Sequence, residues 1–212
     1  KGWEQGWNSQ QSWQGPQHVA NVALQGLVNL FVEPTPMPLT GALANALNQV
    51  VLSLEWKASQ DLIWAGRQWM ESQEHIASTV AGNLCKQVAE LNTFAHRLHV
   101  LYLVHDVLQS ELQMGSASPL GFYYAFYPYL PHLLRSVYQV ASTPAEGAQV
   151  ERILGLWVDR GVCDEPMTKR FGIFMKAPEL PERGHNAAPL QSIPLPPAKS
   201  WPPKGGKAGK AK

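Results

Sequence analysis

The chain has 212 residues, an apolar fraction of 45% and a formal net charge of +1, which accommodates one domain of ordinary size with flanking material. Counting Lys and Arg against Asp and Glu gives one against two in residues 1–38, nine against twelve in 39–172 and seven against two in 173–212, hence −1, −3 and +5. An acidic body excludes a phosphate-tracking nucleic-acid groove on the folded part and leaves the basic tail as the place for weak RNA contact.

Residues 1–38 open with "WEQGWNSQQSW", continue through the apolar run "HVANVALQGLVNLF" and close on Pro34, Pro36 and Pro38. This reads as a biased lead-in and linker, and Lys1 in place of an initiator methionine reads as a piece of a longer chain. From Leu39 the apolar positions recur every three or four residues, which predicts helices over 39–56, 59–72, 74–90, 94–112, 119–127, 131–141, 144–160 and, more weakly patterned, 165–175. Several ends have a local cause. Ser118 before Pro119 offers a capping hydroxyl followed by a residue that needs no amide partner. In "TPAEG" Thr143 caps, Pro144 takes the first helical position and Glu146 completes a capping box. Gly161 stops the helix after "LGLWVDR", and Pro128 with Pro131 forces "FYPYLPHLL" into two short helices or one bent one. Residues 173–212 hold eight of the seventeen prolines and are expected to form a disordered basic tail.

The helix over 94–112 decides the reading. Phe94, Leu98, Leu101, His105, Leu108 and Leu112 share one face, and Val100, Leu103, Val104 and Val107 cover much of the rest, so it is expected at the centre of the array. Its polar strip is His99, Tyr102, Asp106, Gln109 and Gln113, the side that can reach solvent or a ligand. Short helices around one buried helix predict an all-α, right-handed superhelical array of seven or eight helices, where a four-helix bundle would need fewer and longer elements.

The stretch "RLHVLYLVHDVLQ" resembles the signature of RNA polymerase II C-terminal-domain-interacting domains, eight-helix relatives of the ENTH and VHS modules. "VERILGLWVDRGV", residues 150–162, resembles their long late helix. Residues 61–88, "DLIWAGRQWMESQEHIASTVAGNLCKQV", with "AHRLHVLYLVHDVL" after them, are similar to a nuclear, splicing-associated member of that family. The resemblance covers about residues 39–172. It implies a nuclear, non-enzymatic module that grips phosphorylated peptides of the polymerase tail, with splicing-factor proteins as further partners and a role in pre-mRNA splicing or processing. It implies that Asp106 accepts hydrogen bonds from the peptide's turn and that Tyr102 walls a peptide proline, with His105 and Gln109 beside them. His105 stands where relatives usually carry asparagine. Phosphate would fall to Arg152, with Arg67 and Arg160 as further candidates, because a guanidinium presents a rigid fork to phosphate oxygens.

Each assignment has a plainer reading. Asp106 can bond to a neighbouring helix, Tyr102 can be core, and Arg152 can pair with Glu151 or Glu146 on its own helix. Arg160 precedes Gly161 and suits a helix C-terminus, Arg97 suits a junction between helices, and Trp64, Trp69 and Trp157 suit inter-helix anchors. His96, His99 and His105 lack a convincing ligand spacing, so no metal or other cofactor is expected. There is no serine elbow, no phosphate-cradling glycine loop and no carboxylate partner for Asp106 at helical spacing, so no enzyme is expected. Cys85 and Cys163 are isolated, which fits a reduced intracellular compartment, and no run of about 18 apolar residues is present to span a membrane. The rival functions are an ENTH/VHS-like trafficking adaptor and a structural module of the splicing machinery that has lost its peptide groove.

Overall fold

The computed structural model of the protein describes residues 24–113, 118 and 120–180, and these are all helical or connecting, with no strand among them. A short helix, α1, runs over 24–30. It is followed by α2 (Gly41–Ser53), α3 (Gln60–Glu71), α4 (Ala77–Glu90), α5 (Phe94–Gln113), α6 (Phe122–Phe126), α7 (Leu130–Tyr138), α8 (Pro144–Asp159) and α9 (Glu165–Lys176). Two 3₁₀ turns, Glu74–Ile76 and Tyr127–Tyr129, lead into α4 and α7. The all-α fold expected from the sequence is the fold found.

Helix α5 occupies the middle, packed against α3, α4, α6, α7 and α8. Its apolar positions explain this: Leu98, Val100, Leu101, Leu103, Val104, Val107 and Leu108 are buried, and the largest fully buried side chains of the core include Trp157, Phe126, Phe171 and Phe174. Truncating one buried aromatic of this kind to alanine costs about 3–5 kcal/mol. The core runs past the expected bounds of 39 and 172 at both ends. Phe174 and Met175 of α9, expected in the disordered tail, are buried, and the remainder of that tail from 181 lies outside the described residues. Residues ahead of 39 join the core too. Leu27, Val28 and Phe31 are buried, and the Phe31 ring lies 5.3 and 5.2 Å from those of Phe171 and Phe174.

The chemistry of the helix ends accounts for most boundaries. Thr143 and Glu146 form the expected capping box, the Thr143 hydroxyl receiving the Glu146 N–H at 3.2 Å while Glu146 accepts from the Thr143 N–H at 3.1 Å. Gly161 has φ +72°. Its left-handed turn lets Val162 N–H reach Trp157 O at 2.8 Å and Gly161 N–H reach Val158 O at 3.0 Å, the paired bonds that close a helix C-terminus. The two prolines produce the expected break, with α6, a 3₁₀ turn and α7 in succession.

One expected start differs. Pro119 lies outside the described residues, and α6 begins at Phe122 with Gly121 as its N-cap rather than being capped by Ser118. A carboxylate from α5 caps it instead: Glu111 Oε2 accepts from Tyr123 N–H at 2.7 Å. Burial raises the Glu111 carboxyl above its usual value, against the lowering effect of that bond.

The histidines and Arg97 of α5 act as clamps. His96 Nε2 and His99 Nδ1 lie 2.8 and 2.7 Å from the carbonyls of Val51 and Leu54; a carbonyl only accepts, so each ring nitrogen donates and secures the end of α2. The Arg97 guanidinium donates to the carbonyls of Ala89, Leu91 and Ser136, joining the ends of α4 and α7 to α5. Both thiols are buried, and burial with nearby Asp164 pushes Cys163 up to about 12 while burial and Glu33 also raise Cys85. Neither is a ready thiolate. No helix of the described residues is long and apolar enough to cross a membrane.

Candidate functional site

The polar strip of α5 is partly accessible, Gln113 at its end is exposed, and His105, expected on the apolar face, lies half-buried at its edge. His99, Tyr102, His105, Asp106 and Gln109 are all half-buried, while the intervening Leu103, Val104, Val107 and Leu108 are sealed. Helix α3 flanks the strip on one side and α8 contributes to the other. Gly66 governs the first approach, because a Cβ there would stand 3.1 Å from the Leu103 methyls. Its absence lets α3 close on α5 and sets Arg67 beside the strip.

Arg67 Nη1 lies 3.0 Å from Asp106 Oδ2, and the Asp106 side chain keeps 35% of its exposure. The carboxylate is therefore paired without being closed off. Arg67 Nε faces Glu71 Oε1 at 3.5 Å, an electrostatic contact without hydrogen-bond geometry, so this buried Nε–H has no hydrogen-bond partner. Glu71 is itself tied by Gln68 Nε2 at 2.8 Å and by Ser110 Oγ of α5 at 3.2 Å. The result is a charge network, Glu71–Arg67–Asp106, that fixes one carboxylate oxygen of Asp106 and leaves the group reachable.

On the other side Trp157 of α8, fully buried, donates its indole N–H to His105 Nδ1 at 3.1 Å. Burial holds the His105 imidazole below its ordinary pKa; Asp106 opposes that shift and Arg160 adds to it. Arg160 thus lies within electrostatic reach of His105, at the C-cap of α8.

The structure gathers His105, Asp106 and Arg67 directly, and brings in Arg160 through the end of α8. Tyr102 is partly buried against the core, and neither it nor Gln109 has a side-chain hydrogen bond among the described residues. Arg152 is exposed on α8, eight residues before Arg160 and so about 12 Å along the axis. The pairing partners considered for it are occupied elsewhere: Glu151 bridges to Lys176 of α9 at 2.8 Å, and Glu146 caps its own helix. No hydrogen bond or ion pair among the described residues links Arg152 to the strip. One anchor is corrected: Trp64 is 55% exposed, since no helix among the described residues covers it although Arg67 and Glu71 on the same side of α3 reach α5, whereas Trp69 is partly buried and Trp157 completely so.

Sequence reasoning missed the Trp157–His105 bond and the roles of Glu71 and Ser110. The Arg67–Glu71 spacing of four was a usable signal; nothing local pointed to the other contacts. Among the described residues, no group of three or more His, Cys, Asp or Glu is placed to hold a metal ion.

A family model, that of the CID domain, matches residues 42–171, from α2 into α9. The chain belongs to the CID domain family. A CID domain is a protein-interaction module of the kind associated with the RNA polymerase II C-terminal domain. The match spans α3, α5 and α8, so the network described above belongs to the CID domain itself. No curated protein matches the chain.

Proposed function

We propose that this CID domain reads short phosphorylated segments of RNA polymerase II C-terminal-domain type, in the nucleus, in the service of pre-mRNA splicing or processing. The peptide would lie along the α5 strip between α3 and α8. Asp106 accepts hydrogen bonds from its turn, Tyr102 walls a proline, and His105 and Gln109 offer polar contacts. Phosphate is answered by a guanidinium. Arg152 and Arg160 suit this best, since neither has an ion-pair partner among the described residues; Arg67, engaged with Asp106 and Glu71, would have to leave its network to take that role.

The observation that carries the reading is the reachable Asp106 carboxylate on a helix otherwise committed to the core. A charge is retained there at a cost that leucine would avoid, and its neighbours orient it without covering it. Ordering a flexible segment opposes binding, so an affinity on the order of micromolar is expected.

Titrating labelled two-repeat polymerase-tail peptides, unphosphorylated and phosphorylated on serine, against the protein and its Asp106→Ala variant tests the proposal. Phosphate-dependent binding that drops at least tenfold in the variant supports it. Absence of phosphate dependence together with indifference to Asp106 removes it. The Arg67–Asp106 pair favours one rival, a structural splicing module in which that carboxylate serves only the fold; retained protein partners without any tail-peptide affinity is its signature.

A further inference from the structure

Trp157 has one polar atom, an indole N–H that can donate and never accept. It points at His105 Nδ1 from 3.1 Å, so that nitrogen presents a lone pair and the neutral ring carries its proton on Nε2. Trp157 is fully buried and cannot turn away. His105 Nε2 has no hydrogen-bond partner among the described residues and is not among their buried unsatisfied atoms, so it faces solvent from a half-buried ring.

We propose that His105 is a specificity-determining donor of the peptide strip, locked by Trp157 as the Nε2–H form so that it recognises a carbonyl oxygen of the bound peptide backbone. This rests on the peptide-reading function above. An asparagine, which the family resemblance gives at this position, offers a donor and an acceptor and can exchange them by turning over. The imidazole pinned by Trp157 offers a donor alone. Its neighbour Asp106 is the complement, an acceptor alone, with one oxygen already held by Arg67. Two adjacent groups of fixed and opposite polarity match one direction of a peptide chain, whose N–H and C=O groups are fixed in order, and mismatch the reverse. The adjacent carboxylate also disfavours a phosphate oxygen at Nε2, which leaves the neutral carbonyl as the fitting acceptor.

Two measurements test this. Long-range proton–nitrogen spectra of the ¹⁵N-labelled protein at neutral pH read the tautomer without any variant, and a pyrrole-like Nε2 with a pyridine-like Nδ1 is expected. Peptide titrations then compare the protein with His105→Phe and His105→Gln, both checked for folding by circular dichroism. The phenylalanine variant should bind a two-repeat phosphoserine peptide about fivefold to tenfold more weakly, the order of one net hydrogen bond. Replacing the peptide's amides one at a time by esters, which weakens each preceding carbonyl as an acceptor, should reveal one position whose loss is seen in the parent and vanishes in His105→Phe. A protonated Nδ1, a phenylalanine variant that binds within twofold of the parent, or a phosphate effect that disappears in place of an ester effect overturns the inference while peptide reading stands. A parent protein that binds none of the peptides overturns both.

Discussion

Arg67 and Asp106, on different helices, meet at 3.0 Å with about a fifth and a third of their side chains exposed. A pair this open contributes modestly to stability, about 1 kcal/mol or less. Its larger effect is on orientation, because one oxygen is held while the other stays available. Arg67→Met should therefore lower the midpoint of urea unfolding only slightly, yet weaken peptide binding several-fold through a mobile Asp106. If the two substitutions are combined, Arg67→Met should add little to the binding loss caused by Asp106→Ala. Additive losses in that cycle would mean that Arg67 touches the ligand independently.

The capping box of α8 offers a test of local chemistry. Thr143→Ala removes the acceptor for the Glu146 N–H, and Glu146→Ala removes the acceptor for the N–H groups of Ser142 and Thr143. Each should cost about 1 kcal/mol in denaturant unfolding, and the two together less than the sum, since either one opens the reciprocal arrangement. Peptide binding should change little, because the box lies at the opposite end of α8 from Trp157 and Arg160.

Gly161 couples stability to the site. Its φ of +72° is a conformation that costs an L-residue roughly 1–2 kcal/mol. Gly161→Ala should lower stability by about that amount and, unlike Thr143→Ala, should also weaken the peptide, because the turn it closes ends at the Trp157 carbonyl and sets the direction of Arg160. Equal binding by the two variants at matched stability would separate the turn from the site.

How much of this was legible in the sequence depends on how local the cause is. The ends of α8 were readable because Thr143, Pro144, Glu146 and Gly161 act within a turn of themselves. The strip of α5 was readable because a 3.6-residue period places Tyr102, Asp106 and Gln109 together whatever surrounds them. Trp64 and Trp157 have the same amphipathic setting in sequence, yet one is exposed and the other sealed, because that depends on whether another helix lies over the face. Phe31 joins the core across a proline-rich linker, Glu111 caps a helix that Ser118 was expected to cap, and Arg67 and Trp157 reach α5 from distant segments. None of these contacts has a spacing rule, and each awaits the folded chain.

His105 should make the stability of the domain depend on pH near neutrality. Burial lowers its pKa from the ordinary 6.5, Arg160 on α8 lowers it further, and Asp106 on α5, itself paired with Arg67 on α3, opposes the shift. A second proton would also have to sit on Nδ1, facing the Trp157 N–H, where two donors would confront each other. The unfolded chain then binds this proton more readily than the folded one, so stability rises with pH through the window below 6.5. The contribution is fully present above the unfolded value and is lost as pH falls through it toward the folded one. Urea midpoints measured from pH 7.5 down to 5 should therefore decline for the parent more steeply than for His105→Phe, which has no proton to take up. Parallel profiles would show that the imidazole titrates alike in both states, and the bond to Trp157 would then have no energetic weight.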